Sequence, residues 1–171
     1  MISLFRKIFS TPKTVINVRD FPSPPSVSAI GNRISVQVKK LFHGSLAIRE
    51  VDAGSTNACE QELTALTNPY YDIERFGIHF VASPRHADML MVTGPVTRNM
   101  KAALVKTYEA TPNPKIVVAV GDDAISGGIF RSAYAVYNGV ANVIPVDLNI
   151  PGDPPSPMTI LTHLLKYLET R

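Results

Sequence analysis

The sequence predicts an α/β domain: a mainly parallel sheet flanked by helices, preceded by an extended N-terminal arm. Three observations carry this. Strand-like and helix-like stretches alternate from residue 45 onward. ADMLMVTGP (87–95) and KIVVAVG (115–121) are nearly continuous apolar runs, as in strands covered on both faces. Loops rich in glycine and aspartate follow three of the strands, at the sheet edge where open α/β folds collect ligands.

Taken in order, residues 1–44 form a basic, proline-rich arm and residues 45–171 the α/β domain. Ile2, Phe5, Ile8 and Phe9 stand at helical spacing around Arg6 and Lys7. That pattern suits a short helix lying on a membrane surface or on a neighbouring subunit. Residues 10–32, with Pro12, Pro22, Pro24 and Pro25, read as an extended strap. RISVQVKKLFH (33–43) reads as a short strand or the start of a helix. SLAIREVDAG (45–54) is a strand ending at Gly54, and CEQELTALTN (59–68) has helical spacing. FGIHFVAS (76–83) and 87–95 are strands. TRNMKAALVKTYEA (97–110) is an amphipathic helix with Met100, Ala103, Leu104 and Tyr108 on one face and Thr97 as N-cap. Pro112 and Pro114 end it. KIVVAVG and VANVIPVD (140–147) are strands, and PMTILTHLLKYLE (157–169) is the closing helix.

The chain has 171 residues, 45% of them hydrophobic, enough for one domain with a real core. No run of 18 apolar residues occurs, and MISLFRKIF lacks the form of a secretory signal. Cys59 is the single cysteine, which excludes an internal disulfide framework and suits a cytoplasmic setting. Charge is uneven: residues 1–50 carry eight Lys/Arg against Asp20 and Glu50, while the remainder is net acidic. No nucleic-acid motif accompanies the basic arm, so nucleic acid is not an expected partner. His43, His79 and His163 have no metal-ligand spacing, and nothing resembles a P-loop, a dinucleotide fingerprint or a Ser–His–Asp set. Asp88 heads a buried strand and reads as a loop anchor.

Three loops bear the chemistry: GSTNACEQE (54–62), GDDAISGG (121–128) and PGDPP (151–155). With the tract from Tyr71 to Pro95, which holds YDIERFG and SPRHAD, they carry a resemblance. The chain resembles the small iron–sulfur subunit shared by respiratory complex I (its 20 kDa, B-type subunit) and the membrane-bound, energy-converting NiFe hydrogenases. The likeness runs from about Ser45 to Leu168, and the loop around Cys59 leans toward the hydrogenase branch. It implies a flavodoxin-like fold. It also implies four cysteines around one 4Fe–4S cluster, at the positions held here by Thr56, Cys59, Asp123 and Asp153. Three of those four thiolates are therefore replaced.

Cubane clusters are held by thiolates, and a set of one thiol, two carboxylates and a hydroxyl is a poor match to soft sulfide-bridged iron. The expected cofactor is none, the family cluster being lost. A mononuclear cation on Cys59, Asp123 and Asp153 is the alternative occupant, with Cys59 as its metal ligand. A vacant pocket needs donors for any buried Asp123 or Asp153, and Arg85 is the expected partner. Glu60 and Glu62 serve either proton transfer or the dipole of their own helix. Asp72, Glu74 and Arg75 match a segment that borders the large subunit in the family and read as interface residues.

What the resemblance implies is a non-catalytic subunit of an oxidoreductase-like assembly. Its partners would be a hydrogenase-like (49 kDa-type) large subunit, a ferredoxin-like subunit, and a membrane subunit bordering the quinone-like cavity. It would sit peripherally on the cytoplasmic face of the inner (plasma) membrane, in a complex concerned with ion translocation. The alternatives are a redox subunit with an atypically ligated iron–sulfur cluster, and a free-standing binding protein.

Overall fold

In the computed structural model, residues 26–171 are described. The expected N-terminal amphipathic helix (1–9) and most of the proline-rich strap lie outside them.

Residues 27–42, placed in the arm by the sequence, form a 16-residue helix, α1 (Val27–Phe42). The β-branched residues that suggest a strand recur instead at helical spacing: Val27, Ile30, Ile34 and Val38 make one buried stripe. The Ser26 hydroxyl accepts from the Ala29 amide at 3.2 Å, capping the start. His43 takes the left-handed conformation at the end, after Lys39 and Lys40 in the last turn. Gly31 sits inside the helix because the Phe76 ring lies on it: a Cβ there would be 2.2 Å from Phe76 Cε2.

Strand β1 (Leu46–Asp52) follows, then α2 (Ala58–Ala65), β2 (Ile78–Phe80), β3 (Met89–Thr93), α3 (Arg98–Ala110), β4 (Ile116–Val120), α4 (Asp122–Ser126), β5 (Leu148–Ile150) and α5 (Pro157–Glu169). The sheet has five strands, all parallel, in the order β2-β1-β3-β4-β5. Every residue of β3 and β4 is buried, in accord with their unbroken apolar sequence.

Alternate residues serve two cores. Ile48, Met89, Met91, Val118, Val120 and Ile150 face α1, α2 and α5. Val51, Leu90, Val92, Val117 and Ala119 face α3 and the segment after α4. Asp88 anchors the entry to β3 as expected: its Oδ2 accepts from the Ala47 amide at 2.9 Å.

Three local expectations differ from the structure. VANVIPVD is not a strand. Val140–Asn142 is a 3₁₀ turn, Val140 and Ile144 are core residues on the α3 side, and Pro145 has no amide for a ladder. The strand begins just after, at Leu148, once Asp147 has joined β4: its Oδ2 accepts from the Val117 amide at 2.9 Å. Thr97 precedes α3, but its side chain makes no capping bond and instead rests on Gly54, whose Cβ would lie 2.3 Å from Thr97 Cγ2. Ala103, placed on the inner face of α3, is exposed; Leu104 is its buried residue.

Candidate functional site

The three chemistry-bearing loops all leave the carboxyl edge of the sheet, after β1, β4 and β5. The first begins with Asp52, whose Oδ1 accepts from the Gly54 and Ser55 amides at 2.7 and 2.8 Å. That turn aims the chain into α2, and the first turn of α2 carries Cys59 and Glu60.

The other two loops are joined directly. The Gly121 amide donates to the Ile150 carbonyl at 2.8 Å and the Asp122 amide to the Gly152 carbonyl at 2.9 Å. Asp122 Oδ1 accepts from the Gly152 amide at 3.0 Å. Gly152 has no room for a side chain, since a Cβ would lie 2.6 Å from Pro155 Cα.

Cys59 is only 7% exposed and packs with the core beneath α2. Its Sγ lies against Gly121, where an added Cβ would stand 2.5 Å away. Burial pushes the thiol up to about 12, reinforced by the charges of Glu60, Asp123, Asp153 and Asp122. Asp123 is 8% exposed and its Oδ1, tucked against Gly128, is buried without a hydrogen-bond partner among the described residues. Burial raises its pKa, helped by Asp153 and Asp122 and opposed by a bond from the Ile129 amide. Thr56 and Asp153 are exposed.

These features do not fit an iron–sulfur cluster. Cluster iron is held by soft thiolates, and the four positions singled out carry one thiol, two carboxyls and a hydroxyl, a poor match to that iron. Among the described residues no group of three His, Cys, Asp or Glu side chains is placed to hold a metal ion, although Asp123 and Asp153 lie close enough to Cys59 to raise its pKa.

Glu60 occupies the other half of this edge. Its Oε1 accepts from Ser55 Oγ at 2.5 Å and from Thr93 Oγ1. Its Oε2 is buried without a partner. Glu50 on β1 lies close enough that Glu60, after desolvation, raises its pKa. Glu62 lies half-buried further along α2. Thr93, Ser55, Glu50 and Asp122 were not singled out by the sequence. Thr93 carried a signal, as the one polar residue in MLMVT.

The remaining candidates lie elsewhere. Asp72, Glu74 and Arg75 belong to the turn Ile73–Phe76 and its cap, which leads into the amino end of β2. Asp72 and Arg75 pair at 3.9 Å with both side chains well exposed, and Arg75 stacks 4.6 Å over the Phe76 ring. Arg85 is exposed in the turn Pro84–His86 before β3, so it lies at the amino edge. It is not the expected partner of Asp123 or Asp153, which stand past the carboxyl ends of β4 and β5. The eight residues from β2 to β3 cross to the start of β3 and carry Arg85 with them.

Residues 57–167 match the family model described as NADH ubiquinone oxidoreductase, 20 Kd subunit. The chain is 49% identical to an uncharacterized protein of Methanocaldococcus jannaschii over 75% of this chain and 87% of that one. It is 42% identical to a probable membrane-bound hydrogenase subunit of Pyrococcus furiosus, over 78% and 80% respectively. Among solved structures it is similar to a chain of the membrane-bound sulfane sulfur reductase, an archaeal respiratory membrane complex. The TM-score is 0.67 and the identity 36%, covering 80% of this chain and 73% of that one.

Proposed function

The chain belongs to the family of the 20 kDa subunit of NADH ubiquinone oxidoreductase, and from that premise we propose that it is a cluster-free structural subunit of a membrane-bound, hydrogenase-related assembly. In this reading it docks a hydrogenase-like large subunit to the membrane arm and carries no electrons itself. A ferredoxin-like subunit and a membrane subunit complete its surroundings, with the chain on the cytoplasmic face. Among the described residues no helix is long and apolar enough to cross a membrane, so attachment would run through those partners.

The observation that carries the reading is the state of the four ligand positions. Cys59 is a buried thiol and Asp123 a buried carboxyl, each with its pKa raised by burial, and Thr56 and Asp153 are exposed. The loops that present them are tied together by backbone bonds. Ile129 and Tyr134, 79% and 89% exposed, follow Asp123 in the chain. Large apolar side chains left bare beside a retained scaffold suit a protein interface.

The test is made on the purified assembly. Iron, acid-labile sulfide and electron paramagnetic resonance are compared between the unaltered complex and one carrying Cys59→Ser. The proposal expects identical iron and spectra, with the large subunit still bound. Loss of a cluster signal in the variant would return the chain to the electron-transfer class.

A further inference from the structure

The amino edge of the sheet, opposite the degenerate site, carries a groove that the docking role above does not use. It has two adjoining parts, of about 330 and 200 Å³, which share Leu41, Phe42 and Pro114. These apolar residues make a continuous wall between the end of α1 and the entry to β4.

The groove's charge is one-sided. Arg85, Lys115 and Arg171 line it, Arg171 paired with Asp147 at 3.5 Å, and the rings of His43 and His86 stand beside them. Among the described residues Arg85 has no ion-pair partner, and Lys115 is held only by the Tyr108 carbonyl at 2.5 Å and the Tyr108 ring at 4.2 Å. Asp88, the one acidic side chain among the lining residues, already spends Oδ2 on the Ala47 amide. Lys39 and Lys40, both exposed, add charge from the last turn of α1.

We infer that this groove is a second docking surface, and that its occupant is an acidic segment of a partner subunit that alternates carboxylates with apolar side chains. The cations are distributed along the groove rather than gathered at one point. That suits successive carboxylates on an extended segment better than a single phosphate headgroup. Residues 1–25 of this chain are an unsuitable occupant, because they bring Arg6, Lys7, Lys13 and Arg19 against Asp20 alone. A second copy presenting its acidic carboxyl edge would have to give up the large subunit and would propagate head to tail. The inference rests on the subunit reading, since it takes a second partner from the same assembly. It makes the chain a bridge, with one partner at each edge of the sheet.

The experiment places p-benzoylphenylalanine at His86, which is exposed in the groove, in the full chain within the purified assembly. After irradiation the crosslinked peptides are sequenced by mass spectrometry. The expected product joins His86 to a Glu/Asp-rich segment of another subunit. Arg85→Glu is expected to cut that yield about tenfold at low salt, with the loss narrowing as salt rises, while Arg85→Lys retains it. Crosslinks to lipid, to residues 1–25, to a second copy, or to nothing in an assembly that still holds its large subunit would overturn the inference. Because retention of the large subunit is scored separately, failure here is distinct from failure of the subunit reading.

Discussion

Replacing Gly121 with alanine is expected to destabilise the protein by about 2–6 kcal/mol, and adding Cys59→Ala is expected to recover part of that loss. Gly121 has φ 91° and ψ 158°, a region that side-chain-bearing residues avoid. Holding a non-glycine residue there costs on the order of 1–3 kcal/mol. The new Cβ would also stand 2.5 Å from Cys59 Sγ, well inside van der Waals contact. The sulfur is buried and packed with the core, so it has little room to retreat. Overpacking of this kind costs roughly 1–3 kcal/mol more. Truncating Cys59 removes the contact but leaves the backbone strain. Cys59→Ala alone should cost about 1 kcal/mol in lost burial. The four chains are compared by equilibrium urea unfolding with a shared baseline slope. A coupling of about 1–3 kcal/mol between the two substitutions is expected. Strict additivity, within roughly 0.5 kcal/mol, would mean that the thiol does not fill the space against Gly121, and the reasoning would fail.

Three other outcomes follow from the same edge. A thiol moved from 9.0 to about 12 has its thiolate fraction at pH 8 lowered roughly a thousandfold, so iodoacetamide should label native Cys59 at a small fraction of its rate in urea; equal rates would refute the buried, protonated state. Asp123 and Glu50 both have raised folded-state pKa values, so their favourable contribution is complete below the ordinary values of 3.8 and 4.5 and is lost as pH rises through the raised ones. Asp123→Asn should therefore gain stability relative to the unaltered chain as pH rises from 4 to 8, and a pH-independent difference in urea titrations would contradict this. Thr93→Val keeps the shape but removes the hydroxyl that donates to Glu60, and should cost about 1–3 kcal/mol in thermal or urea unfolding, most of it absent in a Glu60→Leu background, which has no acceptor; an unchanged midpoint would show that the bond carries no stability.

The fold was legible because its central strands are written in an unmistakable form. MLMVT and IVVAV are buried on both faces, and only a parallel sheet layered by helices accommodates two such runs. The edge elements were harder. β5 is three residues long, and its apolar signal is outweighed by Val140, Val143 and Ile144, which fill the neighbouring core from a turn. α1 was obscured by β-branched residues and by Gly31, whose purpose is visible only when Phe76, 45 positions away in the chain, is seen lying against it. At the site, residue identity singled out Thr56, Cys59, Asp123 and Asp153, but not their surroundings. Burial separates Cys59 and Asp123 from Thr56 and Asp153. Arg85 was misassigned because sequence proximity to a chemistry-bearing tract does not say which edge of a parallel sheet a turn occupies.

Under the proposed reading, in which positions 56, 123 and 153 match the family's cluster ligands, the backbone explains how those side chains could be exchanged without loss of the scaffold. The bonds that tie the second loop to the third run from Gly121 to Ile150 and between Asp122 and Gly152. None of them uses the side chain at 123 or 153. The first loop is set by Asp52 Oδ1 on two amides, and the side chain at 56 takes no part. Each ligand position is therefore a passenger on a turn fixed by its neighbours, and exchanging a thiol there costs the fold little. The same independence should work in reverse. Installing cysteine at 56 and 153, both exposed, should be nearly neutral to stability, and Asp123→Cys should relieve the orphaned Oδ1. The triple variant should consequently fold, lower the pKa of Cys59 by removing two of the carboxylates that raise it, and take up iron and sulfide on anaerobic reconstitution. A variant that folds with native circular dichroism yet gains no 400 nm absorbance would show that the loops have drifted as well as the ligands. In that case the retained hydrogen bonds would preserve the interface but not the geometry of the former site.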